Sequence, residues 1–230
     1  YLHPYSLKVS NSTIDQSDKG IWARTVAVFF GLHFGSYGGD LGRWVYFFLG
    51  LSGAFLFYSG NLLWLEKRRK KQASEQTRAC RLMASATVGI CLGSVAALTI
   101  SMLLGKWFYA HVSNINHVYL WLYYLVFGLL VAYAFWRGAA KAALLILPLC
   151  GLATLAMPIT SLVAVFAPSL GLWAPYSSAT LGVDLVALAF SGVFFYGYKL
   201  TRHRVLNGPQ DSVWAIPATV PVAELTQQTS

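Results

Sequence analysis

Two histidine-bearing stretches and one carboxylate inside an apolar run are the residues of this sequence whose types and spacing could do chemistry. The first stretch, GLHFGSYGGDLGRW at residues 31–44, sets His33 beside Gly35, Gly38, Gly39, Gly42 and Arg43. The second places His111 and His117 just ahead of another apolar run. Neutral imidazole is a ligand for transition metals and for haem iron. A b-type haem in a helical bundle needs two imidazoles across the iron, small residues that let the macrocycle approach, and cations for its propionates. These residues supply all three kinds of group, with His33 and His117 as axial ligands, His111 as the other choice for the second ligand, and Arg43 as a propionate partner. His117, Leu120, Trp121 and Tyr124 recur at helical spacing on one face, where Tyr124 could reach a haem edge. From spacing alone a plainer reading suits the same residues better: an interfacial histidine next to a glycine turn, and an aromatic stripe that packs. Spacing does not favour the haem, because bis-histidine sites have no sharp local motif.

Asp184 lies within an apolar run, roughly 10 Å from its start at the helical rise per residue. It could orient a ligand histidine by accepting a hydrogen bond from the free ring nitrogen, take part in proton movement, or sit neutral and bonded to a neighbouring helix. His203, inside TRHR, reads as a solvated member of a basic terminus. Cys80, Cys91 and Cys150 share no C-x-x-C spacing, which argues against a thiolate metal site, c-type haem attachment and a disulfide framework.

The elements that must position these groups follow from composition. The chain has 230 residues, 57% of them hydrophobic and 11% charged, and its apolar runs are too long for a soluble core. The reading is an all-α integral membrane bundle with five spans near residues 44–65, 84–104, 118–136, 143–166 and 178–200. Residues 22–34 are apolar but short and contain Arg24, so they read as an interfacial helix. The net charge of +9 is gathered in clusters next to spans, which is a topology signal and gives no footprint for nucleic acid.

Basic residues follow the first, third and fifth spans, so those ends are expected in the cytoplasm and the C-terminus with them. On the opposite side Lys106 is the sole loop cation, and aromatic belts are expected from Trp107, Trp121, Trp173 and Tyr176 outside and Trp64, Trp136 and Tyr198 inside. The division expected is an extracytoplasmic segment at 1–20, an interfacial helix and Gly-rich approach at 21–43, the five-helix bundle at 44–205, and an irregular cytoplasmic tail at 206–230. The first residue, Tyr1, and an odd number of spans lead to the expectation of one further N-terminal span beyond this sequence.

The order of these pieces resembles the PepSY-associated transmembrane family of bacterial inner-membrane proteins. YLHPYSLKV, residues 1–9, resembles the closing strand of a PepSY unit. GLHFGSYGGDLGRWVYFFLGLSGAFLFYSGNLLWLEKRRKK resembles the Leu-His, Gly-Gly and Gly-Arg approach followed by a span and a basic stop. WRGAAKAALLILPLCGLATLAMPITSL resembles the basic turn and Pro-containing span near the family's C-terminal end. Some members are similar to ferrisiderophore reductases of the ferrioxamine type. That resemblance implies one or two haem b groups, a cytoplasmic or quinone electron donor, and reduction of an Fe(III)-siderophore at the periplasmic face, with His33 as a haem ligand. Two other functions stay open: a non-enzymatic anchor for a periplasmic PepSY regulatory or binding module, and a small-molecule transporter. One intramembrane carboxylate and no visible repeat weaken the transporter.

Overall fold

A computed structural model describes residues 20–35, 39–71, 76–175 and 177–216. The expected PepSY strand at 1–9, Gly38, the belt residue Tyr176 and the tail beyond 216 lie outside the described residues. Within them the regular structure is helical: α1 (Ile21–Phe34), α2 (Gly39–Lys70), α3 (Arg78–Phe108), α4 (Ile115–Arg137), α5 (Ala139–Phe166) and α6 (Ser178–Asn207). Five of these, α2 to α6, are long and apolar enough to cross a membrane.

The helix boundaries have local causes. Helix α1 stops at Gly35, which takes a left-handed φ of 61° and turns its N–H back onto the Gly31 and Leu32 carbonyls. The side chains of Thr77, Asn114 and Ser177 accept backbone N–H bonds at the starts of α3, α4 and α6. Gly138, with φ 83°, is the single residue between α4 and α5. A side chain there would be strained, so glycine permits this one-residue corner.

The chain forms two compact units that divide within α2, between Phe57 and Tyr58. In the first, α1 meets the opening turns of α2. Gly35 is buried there, and a Cβ on it would come 3.5 Å from the Tyr46 ring.

In the second unit α3 and α5 lie side by side and carry most of the buried residues, with α4 packed on α3 and α6 on α5. The α3–α4 seam rests on small residues. Ser85, Gly89, Gly93, Ala97, Ser101 and Gly105 follow one another at every fourth position and are all buried. They form one stripe along the helix, against which Ala134, Leu130 and Tyr119 of α4 close at Gly89, Gly93 and Gly105. Lipid tails are as apolar as leucine, so close backbone approach rather than hydrophobicity drives such pairing. Most large apolar side chains of α2, α4 and α6 are exposed, as lipid-facing surfaces are.

Each expected span is present, and each helix is longer than the apolar run that revealed it; α2 has 32 residues, about 48 Å. The glycine-rich approach is shorter than expected, since Gly39, Gly42 and Arg43 already belong to α2. Of the expected irregular tail at 206–230, residues 208–216 are described, and they form turns without regular structure. Helix α6 continues to Asn207, and the turn that follows folds onto the bundle, burying Val213 and Trp214. Glu66 of α2 accepts hydrogen bonds from the Val213 N–H at 3.0 Å and the Ser212 hydroxyl at 3.2 Å. Arg69 of α2 donates to the Gln210 carbonyl at 3.4 Å. A short apolar patch, VWAI at 213–216, supplies the burial that these polar bonds position.

Candidate functional site

In the second unit two opposite charges are set close together at the end where α3 finishes and α6 begins, with polar groups of α5 beside them. Lys106 stands in the last turn of α3 and is 7% exposed. Its ammonium donates to the Ser161 hydroxyl at 2.7 Å and to the Met157 carbonyl at 3.4 Å, both on α5. Asp184, in the second turn of α6, places Oδ1 3.7 Å from Lys106 Nζ. That separation is an ion pair but too long for a hydrogen bond, and the buried Oδ1 has no hydrogen-bond donor. The backbone N–H of Trp173, in the α5–α6 connection, donates to the Lys106 carbonyl at 2.9 Å, and Trp107 Nε1 donates to Thr160 Oγ1 at 3.2 Å.

The expectation that Lys106 is a loop cation is therefore corrected. The helix runs on past it, because Trp107 and Phe108 continue its last turn and the small residue Gly105 lets Tyr119 of α4 close over the backbone. Asp184 has this lysine as its ion-pair partner, where the sequence pointed to a ligand histidine or a neutral bond. A charge taken out of water at membrane depth is retained when an opposite charge and hydrogen bonds accompany it. Lys106, Asp184 and Ser161 do this jointly, tying α3, α5 and α6 together.

The other residues singled out by sequence lie elsewhere. His33 is exposed on α1, its ring edge-on to Phe34 with centroids 5.0 Å apart. Arg43 is exposed on α2 and pairs with Asp40 at 3.3 Å, one turn away. His111 is exposed in the single 3₁₀ turn after α3, and His117 is exposed in the first turn of α4. The stripe expected on α4 does share a face: Leu120, Trp121 and Tyr124 are exposed with His117, so the stripe points outward from the α3 seam. His33 and Arg43 belong to the first unit, and His111, His117, Tyr124 and Asp184 to the second. Among the described residues, no group of three or more His, Cys, Asp and Glu could hold a metal ion.

An all-helical chain with five membrane-length apolar helices and a buried intramembrane ion pair defines a multi-pass membrane protein. Residues 7–67 match the family model described as the PepSY-associated TM region, which supports the PepSY-associated transmembrane family for the N-terminal part of the chain. The match takes in α1 and α2 up to Lys67, and α3 to α6 lie beyond it. No curated protein and no solved structure matches the chain.

Proposed function

We propose that the chain is the membrane-spanning part of a PepSY protein, set in the bacterial inner membrane, and that it fixes an extracytoplasmic PepSY module to the outer surface. The family match carries this reading: it begins at residue 7, inside the segment that resembles a PepSY strand, and runs through the first span to its basic stop. The anchor is firm because four further membrane-length helices follow that span, and an ion pair between α3 and α6 is costly to break in a bilayer. A protease site inserted before Gly20 tests it in membranes. Cutting by a protease added from the periplasmic side is expected, leaving α2 to α6 as a shortened fragment that stays with the membrane. A site that only a cytoplasmic protease reaches would overturn the reading.

A second reading is favoured by the exposure of the imidazoles of His33, His111 and His117. In it the anchor is also a haem-b reductase that passes electrons from a cytoplasmic or quinone donor to an Fe(III)-siderophore at the periplasmic face. His33 would be one axial ligand and His117 the other, with His111 as the alternative to His117, and Tyr124 on the outward face of α4 would offer an aromatic edge. The haem, when bound, supplies the one-electron chemistry, while the chain supplies ligands and a low-dielectric setting. Oxidised and dithionite-reduced absorption spectra separate the two readings. Low-spin b-type bands lost in both His33→Ala and His117→Ala support the reductase, and a wild type that stays colourless after haem is supplied leaves the anchor alone.

A further inference from the structure

The basic end of the second unit carries a half-open cavity of ≈ 400 Å³ at the corner between α4 and α5, with Arg81 and Arg137 exposed to solvent at it. Arg81 of α3, Arg137 at the end of α4 and Lys141 in the first turn of α5 line it, with Gln76 and Ser85 as neutral donors and no carboxylate in the wall. None of these three cations is in a salt bridge among the described residues, where the pairs are Arg43–Asp40 and Lys106–Asp184. Arg137 lies over the Trp136 ring, 5.3 Å from its centroid, an attraction that leaves its charge in place. The Gly138 corner adds to this, because α5 begins at the cavity wall with no acidic residue in its first turn and no side-chain cap. The amides of Ala139 and Ala140 thus bring the positive end of a helix to the same space.

Like charges gathered around a cavity repel one another more strongly as the local dielectric falls, and an anion inside relieves that repulsion. Planar guanidinium groups and backbone amides match the oxygens of a phosphate. The wall also holds Phe135 and Trp136 at the end of a membrane span, the level at which aromatic side chains meet headgroups. We propose that this cavity binds a phosphate group, supplied by an anionic phospholipid headgroup or by free phosphate. The site is independent of the anchor and reductase readings, since neither uses these residues.

The test uses the purified full chain, with thermal stability and lipid retention in native mass spectrometry as readouts. Phosphatidylglycerol is titrated against a phosphatidylcholine background, and sodium phosphate against sodium chloride at equal ionic strength. Arg81→Gln/Lys141→Gln removes two of the cavity's charges. Lys199→Gln/Arg202→Gln removes two exposed charges from α6, outside the cavity, as the control. Stabilisation of wild type and control is expected, with apparent affinity roughly thirtyfold weaker in the cavity variant. Stabilisation by phosphate alone, competing with the lipid, identifies a free anion as the source; stabilisation by phosphatidylglycerol only identifies the headgroup. Equal responses in wild type and cavity variant, or an equal loss in the control, would overturn the proposal. Should the double variant not fold, Lys141→Gln alone replaces it, with a roughly fivefold loss expected and no loss counting against the site.

Discussion

Lys106 has apolar or aromatic neighbours on both sides, Met102 to Leu104 before it and Trp107 to Tyr109 after it. That flanking was the legible sign that the helix continues past the lysine. An apolar run ends at a charge, so hydropathy alone puts Lys106 in a loop, whereas Asp184 stands out in the sequence because apolar residues continue on both sides of it. Their pairing depends on the packing of α3 and α6 against α5, which no local pattern contains. The pair makes a direct prediction at the level of single side chains. Lys106→Met leaves Asp184 buried without a counter-charge and should cost about 3 kcal/mol, as should Asp184→Leu, which strands the ammonium. The double substitution should recover most of that loss, because an apolar pair of similar size needs no compensation. Unfolding in detergent micelles for the four proteins of the cycle checks this. Single losses below about 1 kcal/mol that simply add would mean the two charges are not coupled.

At the scale of the helix, α3 shows what a hydrophobicity pattern conveys and what it conceals. Its apolar run announced a span, but in a bilayer apolar side chains face lipid and protein alike, so hydropathy does not mark the buried side. The buried side is marked by size, in the fourfold spacing from Ser85 to Gly105. The same limit explains the α4 stripe: periodicity put His117, Leu120, Trp121 and Tyr124 on one face, yet only the packing on α3 shows that the face is outward. Two glycines separate these effects. A Cβ at Gly89 would sit 2.8 Å from the Ala134 Cβ and 3.4 Å from the Val131 Cα, so Gly89→Ala must push α3 and α4 apart. The expected cost is about 1 to 3 kcal/mol. Gly128 on α4 faces open space, and Gly128→Ala should be neutral or stabilising by up to about 1 kcal/mol. Thermal unfolding of both variants decides: similar effects from the two would show that the stripe is not a packing seam.

For the whole molecule the open quantity is its orientation, because a helical bundle is compatible with either direction and only the loops carry the difference. Lys67 to Lys71, Arg78 and Arg81 fall at the α2–α3 connection, Arg137 and Lys141 at the α4–α5 corner, and Lys199, Arg202 and Arg204 at the end of α6. These ends meet on one side of the second unit, as the shared cavity of Arg81, Arg137 and Lys141 shows. Short loops rich in lysine and arginine resist translocation, so this side is predicted to be cytoplasmic. Burying Lys106 sharpens the asymmetry, since it takes the one cation near the α3–α4 and α5–α6 connections out of the loops and pairs it with Asp184. His111 and His203 are exposed at opposite ends of the unit and suit single-cysteine labelling after Cys80, Cys91 and Cys150 are changed to alanine. In intact spheroplasts a membrane-impermeant maleimide should label His111→Cys, and His203→Cys should react only after lysis. The reverse pattern would turn the bundle over. It would also carry the segment ahead of α1 to the cytoplasm, where an anchor for an extracytoplasmic PepSY module would have nothing to hold.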